Sequence, residues 1–453
     1  MAVWSLTTTS ESLHTRRIDA EFSQPKYIEA EQVVRRCGVE DLGNLGSFVP
    51  GPFGSAFCVR NYDLKSPYRY IRGQDVKPFF IIEDDLKFIP EADFVRLNKY
   101  AISKDDLMIS VVGTLGNVAV CTERETPAMF SCKSTLFRSY NVDPYFLLAY
   151  LNSRYGQLCL LRRQRGAIQM GLNIEDLRSM PVPRFDSHAE VEIAADVRNA
   201  HRNLISSREL YLTAKQLLYS ELGLDKLRFN KPVDYTAQLR ELECAQRFDA
   251  QHYQSRFVDL LNHLSKFSSQ KVRDIQICNR RGIQPVYVEG GDYAVVNSQH
   301  LGPKHINYDG LQKTSAKAFH ASPEAHIQQE DLLIYTTGAY IGRTNTYLSD
   351  KPAFASNHVN ILRLTPDIDH AYLALVFQSI IGQFQTQKHA RGSAQAELYP
   401  TDIDKFVVPV LPSARQIVIG NLVRESLERQ RQSAQLLEQA KSRVEQLIVE
   451  AVQ

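Results

Sequence analysis

The 453-residue chain is most informative first in what it lacks. It contains no G-x-G, which removes the dinucleotide fingerprint and the glycine-rich methyl-donor loop. It has no G-x-x-x-x-G-K-[ST] phosphate loop and no H-E-x-x-H zinc helix. It also lacks the N-P-P-[FY] and D-P-P-[FY] signatures of amino-methyltransferases. Its seven cysteines (Cys37, Cys58, Cys121, Cys132, Cys159, Cys244, Cys278) form no C-x-x-C pair and are odd in number. They read as reduced thiols of a cytoplasmic protein, with neither a disulfide framework nor a zinc site. No run of about 18 apolar residues occurs, so no membrane span is expected. The opening MAVWSLTTTS lacks a basic segment followed by an apolar run, so no signal peptide is expected. A net charge of +2 and a pI of 8.1 permit a nucleic-acid partner without requiring one. No cofactor and no metal are expected on this chain. EDDLK, from Glu83, reads as a charged surface turn, and His201, His263 and His389 read as residues of solvated or half-buried faces.

What is present is repetition. RGAIQMGLNIEDLRSMPVP, from Arg165, matches RGSAQAELYPTDIDKFVVP, from Arg391. The offsets 391 − 165, 395 − 169, 398 − 172, 402 − 176 and 409 − 183 all equal 226. RRIDAEFSQPKY matches QRFDAQHYQSRF, and SKDDLMISVVGTLG matches QQEDLLIYTTGAYIG. VDPYFLLAYLNSRYGQ parallels IDHAYLALVFQSIIGQ. The chain is therefore one unit written twice.

Each copy opens with short β-branched runs such as VAVC and YAVV. An amphipathic helix is predicted next, around Phe146–Leu158 and around Tyr372–Phe384. An Arg-Gly loop, a segment ending in Pro and a long helix follow. The first long helix is predicted from Ser187 to about Leu222, with Gly223 beyond it as a C-cap. Ile193, Val197, Leu204, Tyr211 and Leu218 line one seam of it. Ile419, Val423, Leu437 and Val444 line the seam of the second. Ser207, Ser426, Gln430 and Ser433 fill polar steps of these seams. The 3.5-residue repeat predicts a helix-on-helix coiled coil, two separate surface helices being the alternative. The resulting organisation is 1–186, 187–222, 223–245, 246–412 and 413–453: domain, helix, ordered connector, domain, helix.

This duplicated order resembles the specificity (S) subunits of type I restriction-modification systems. RIDAEF and RFDAQH, DDLMISVVGTLG and EDLLIYTTGAYIG, and the R-G-x-x-Q-x-x-L loops carry the resemblance over essentially the whole chain. It implies an α+β fold of two tandem-repeat target recognition domains alternating with two long coiled-coil helices, pseudo-two-fold symmetric. It implies a non-catalytic subunit whose domains each read one half of a split asymmetric target in double-stranded DNA. The helices would act as spacer and as docking site for DNA methyltransferase subunits, which carry S-adenosylmethionine, with room for a restriction/translocase subunit. About 30 helical residues span roughly 45 Å, more than one DNA turn of roughly 34–36 Å.

The candidate DNA-binding residues fall in three groups. Glycine turns (Gly113, Thr114 and Gly116; Gly338, Tyr340 and Arg343) allow backbone N–H groups close to phosphates, or are ordinary hairpins. Arg165, Gln169, Arg391 and Gln395 have the chemistry for phosphates or for guanine and adenine edges. Since they recur in both halves, they are assigned to positioning. Base readers are expected where the copies diverge: Val49–Arg72, Arg273–Asn297, Ser131–Lys133 and Ser356–His358, with Ser131, Lys133, Asn357 and His358 as candidates. Two rival readings stay open, a DNA-modifying enzyme with an unrecognised centre and a helical scaffold for protein or RNA.

Overall fold

The structure, a computed structural model, describes Thr15 and residues 17–166, 169–229, 234–392 and 395–452. Residues 1–14, Arg16, the two middle residues of each R-G-x-x-Q loop, connector residues 230–233 and Gln453 lie outside that set. Contacts divide the chain into two units, Met1–Leu204 with Arg431–Gln453, and Ile205–Gln430.

Unit 1 is built on an antiparallel sheet of β1 (Gly46–Pro50), β2 (Leu107–Ser110), β3 (Val118–Val120) and β4 (Ser134–Ser139). The strand order is β1-β4-β2-β3. Leu107 and Ile109 face one apolar cluster while Met108 faces another, so both faces of β2 are buried. That is why LMIS reads as a continuous apolar run and not as an alternation. Unit 2 has β5 (Gln276–Arg281), β6 (Leu332–Tyr335), β7 (Thr344–Thr346) and β8 (Val359–Leu364), in the order β5-β8-β6-β7. Here too Leu332 and Ile334 face one cluster and Leu333 the other.

The sequence predicts one helix after each sheet, and each proves to be two. In unit 1 these are α1 (Pro144–Asn152) and α2 (Arg154–Arg162). Ser153 ends the first with its backbone extended and caps the second, its Oγ accepting from Gly156 N at 3.2 Å. The fold-back is so tight that a Cβ on Gly156 would stand 1.9 Å from Tyr150 O. Neither is α1 amphipathic: Tyr145 to Leu151 are all buried, because the helix is covered on every side.

The long helix α3 (Ser187–Glu221) ends at Gly223, whose φ of +59° stops it. In unit 2, α4 (His370–Gln378) and α5 (Ile380–His389) meet at Ser379 as α1 and α2 meet at Ser153. The last helix is α6 (Ser413–Glu450).

The long helices pair within each unit. In unit 1, Ile193 and Val197 join Ala440, Val444 and Ile448 in the cluster that covers the sheet, with half-buried Leu437 against it. Leu204 is buried as well. In unit 2, Tyr211, Leu218, Ile419 and Val423 share one core. Ser207 Oγ donates to Ser426 O and Ser426 Oγ to Ser207 O, both at 2.7 Å. With Arg415 at 3.4 Å from Glu221, this makes the two helices antiparallel there. Ser207 and Ser426 thus satisfy each other reciprocally across the seam, which fixes register.

Each unit also fastens its helices with the same ion pair. Arg198 on α3 holds Asp143, the N-cap of α1, at 2.6 Å, and Arg424 on α6 holds Asp369, the N-cap of α4, at 2.9 Å.

His389 is buried, where the sequence predicts a solvated or half-buried face. Burial first, and then His252 and Lys388, push its pKa down to about 3. Burial also lowers His252, His300, His305 and His370, all in unit 2. A neutral native histidine gives stability that is complete above its ordinary value near 6.5 and lost as pH falls toward the native value. Unit 2 should therefore lose about 1 kcal/mol for His389 alone between pH 6.5 and 5.5. Amide exchange at the two pH values should show α5 opening more readily at the lower one, with α2 little changed.

Candidate nucleic-acid interface

Three short segments converge at one edge of each sheet. The first is the hairpin turn between β2 and β3, or β6 and β7. Gly113, with φ +93°, and Thr114 are exposed at its tip, while Gly116 is buried under Gln157, which donates to its carbonyl at 2.9 Å. In unit 2, Gln383 donates to Gly342 O at 3.3 Å. Gly338 is half-buried, Tyr340 is exposed, and the Arg343 guanidinium lies 3.7 Å from the centre of the Tyr340 ring.

The second segment precedes β4 or β8. Lys133 O accepts Val111 N at 2.9 Å, and His358 O accepts Thr336 N at 3.0 Å. Ser131 is buried and Lys133 exposed; Asn357 is half-buried and His358 exposed.

The third is the Arg-Gly loop. Leu172 N donates to Val111 O at 3.0 Å, and Leu398 N to Thr336 O at 2.9 Å. Gly166 has φ +126° and Gly392 φ +94°. A Cβ on either would stand 2.2 Å from the carbonyl oxygen of Gln169 or Gln395, which leaves glycine as the residue the loop can close on. Gln169 and Gln395 are both exposed.

Arg165 Nη2 donates to Asp176 at 2.6 Å and Arg391 Nη2 to Asp402 at 2.8 Å. Bonds from these carboxylates hold both guanidinium groups above their ordinary pKa. The side chains stay 44% and 46% exposed, so one edge of each guanidinium is presented to solvent while the other is committed. The aspartates are visible in sequence as a matched pair, 402 − 176 = 226, but their role as partners of the arginines is not.

Beyond this shared frame the units differ. In unit 1 the Pro50–Gly54 loop, Val111, the entry to β4 and the Arg-Gly loop line a groove of about 560 Å³, with Cys132, Arg165 and Gln169 among its walls. Phe53 stands at its lip, 84% exposed. Unit 2 presents Arg280 and Arg281 at the end of β5 instead. Arg281 donates to Leu398 O at 2.9 Å, with its guanidinium 4.7 Å from the Tyr399 ring centre. Pro50, Phe53, Arg280 and Arg281 all fall in the stretches where the copies diverge.

EDDLK is a surface turn, with Asp85 held by Lys87 at 2.6 Å and Arg72 at 2.8 Å. Among the described residues no group of three or more His, Cys, Asp or Glu is placed to hold a metal ion. Among them, too, no helix is long and apolar enough to cross a membrane.

The chain resembles S subunits of known structure. A type-I restriction-modification S subunit from M. genitalium aligns with 91% of this chain and 95% of its own, at 13% identity and a TM-score of 0.47. The HsdS subunit from Thermoanaerobacter tengcongensis aligns over 91% and 95%, at 15% identity and a TM-score of 0.28. The type IIG restriction endonuclease BpuSI aligns with 42% of this chain and 30% of its own, at 11% identity and a TM-score of 0.31. No protein-family model and no curated protein matches the chain.

Proposed function

We propose that this chain is a non-catalytic, sequence-specific DNA-binding subunit that directs methyltransferase subunits to a split, asymmetric target. Each unit carries one target recognition domain, and the paired helices are the docking site for the partners. S-adenosylmethionine binds to the partner and not to this chain, and a restriction/translocase subunit joins where cleavage accompanies modification.

One observation carries this reading. The same hydrogen-bonded junction of glycine turn, β-strand entry and Arg-Gly loop is built twice, and the surface beside it is built differently each time. A frame kept constant beside a variable surface is what two readers of two different sequences need. Phosphate contacts position and carry no sequence information, so they suit the shared frame, whereas base contacts suit the divergent surfaces. The Phe53 groove would read one half-site and Arg280 and Arg281 the other.

Incubating the purified chain with duplex DNA, S-adenosylmethionine and divalent metal should give neither methylation nor cleavage. Adding the partner methyltransferase subunit should give methylation at one defined sequence. Turnover by the chain alone would establish the enzyme reading instead. Replacing Arg165 or Arg391 by alanine should weaken binding to all duplexes alike, by about fivefold, as fits a half-exposed charge already paired. Altered base preference at an unchanged salt dependence would make either arginine a base reader.

A further inference from the structure

Ile18 is 92% exposed and Phe248 84% exposed. They occupy the same position in the two copies, the middle of R-I-D and R-F-D, since 248 − 18 and 249 − 19 both equal 230. Isolated exposed apolar residues are ordinary on protein surfaces. Two at matched positions on identically fastened turns call for a common cause.

The fastening is tight. Arg17 donates to Asp19 at 2.6 Å and to Gln164 O at 2.8 Å. Arg247 donates to Asp249 at 2.6 Å and to His389 O and Ala390 O at 2.9 Å. Asp19 also accepts Phe22 N at 3.0 Å, and Asp249 accepts His252 N at 3.2 Å. With its neighbours tied down on both sides, the apolar residue between them is held outward.

We propose that Ile18 and Phe248 are equivalent protein-docking anchors, one on each unit. Each would enter an apolar pocket on one of two copies of the same partner; resting on the function proposed above, that partner is the methyltransferase subunit. The occupant has to be common to both units, because the feature is. That excludes base edges, which differ between the half-sites. The DNA backbone is common to both, but it is anionic. The exposed member of the ion pair beside each anchor is the carboxylate: the Asp19 and Asp249 side chains are 45% and 44% exposed, against 2% for Arg17 and 12% for Arg247. An apolar tip with a carboxylate at its shoulder offers phosphate no donor and suits an apolar pocket with a basic rim.

The test uses the full-length chain with Ile18→Asp, Phe248→Asp and both changes together. Titration with the purified partner methyltransferase subunit would be followed by calorimetry, and binding of a duplex to the chain alone would be measured separately. The wild type should take two methyltransferase copies. Each single variant should bind one of them about thirtyfold more weakly, the scale of a buried interface anchor, and the double variant should bind both more weakly. Thermal midpoint and duplex binding should stay as in the wild type, because neither side chain is packed. Weakened duplex binding with normal methyltransferase binding would make the anchors DNA wedges and overturn the proposal. Two full-affinity methyltransferase sites in the double variant would also overturn it. A wild-type chain that binds no methyltransferase would refute the proposed function itself.

Discussion

Replacing Glu31 by alanine should destabilise unit 1 by about 3–5 kcal/mol while leaving unit 2 unchanged, so that thermal unfolding separates into two steps. Glu31 is buried, 2.9 Å from Arg163, 3.1 Å from Arg162 and 2.7 Å from Arg35. Burial alone would raise its pKa, but Arg163, Arg162 and Arg35 outweigh that and hold it down to about 2. Arg162 and Arg163 have side chains only 5% and 4% exposed. Without the carboxylate, two buried guanidinium groups keep their desolvation cost and lose their counter-ion. A depressed carboxylate gives stability that is present above its ordinary value near 4.5 and lost as pH falls toward 2. Acid should therefore remove the same contribution from unit 1 over that range, on top of the loss that His389 brings to unit 2. The counterparts in unit 2 are Lys388 and His389 (388 − 162 and 389 − 163 both equal 226), so that unit does not depend on such a triad. Scanning calorimetry of the full chain at pH 7 checks the prediction; a single transition shifted as a whole would contradict it.

Gly166→Ala and Gly392→Ala should each abolish sequence preference in one half of the DNA target and spare the other. The strained φ costs about 1–3 kcal/mol for a residue with a side chain. The new Cβ also lies 2.2 Å from a backbone oxygen, which no rotamer relieves. The loop must open, and with it go the backbone bonds that tie it to the glycine turn. Because both glycines and the Arg and Gln residues beside them are exposed, overall stability should change less than recognition. Selection from randomised duplexes with each variant would show one block of preferred bases lost and one retained. Loss of both blocks from either single change would mean that the two loops do not serve separate half-sites.

Much of the frame is legible in the sequence, because duplication supplies an internal comparison. Matched offsets single out the Arg-Gly loops, the glycine turns and Asp176 with Asp402. Periodicity marks the long helices, since their seams are buried on one side only. It misreads the stretches from Phe146 and Tyr372. There, complete burial erases the 3.6-residue pattern, and the break depends on one serine and on glycine's lack of a Cβ. His389 is misplaced by sequence reasoning because its environment comes from residues 137 positions away, His252 among them (389 − 252 = 137). The Glu31 triad is hidden for a related reason: a feature present in one copy only leaves no trace in a comparison of the two. The Phe53 groove and the Arg280–Arg281 surface fall in divergent stretches, but their shapes arise from packing between segments far apart in the chain.

That two units read two different short sequences on one duplex is tested most directly by selecting bound duplexes from a random library with the full-length chain and sequencing them. The enriched DNA should contain two short blocks of unlike sequence separated by unread positions. A single contiguous block, a perfect palindrome, or no enrichment over the starting library would contradict it.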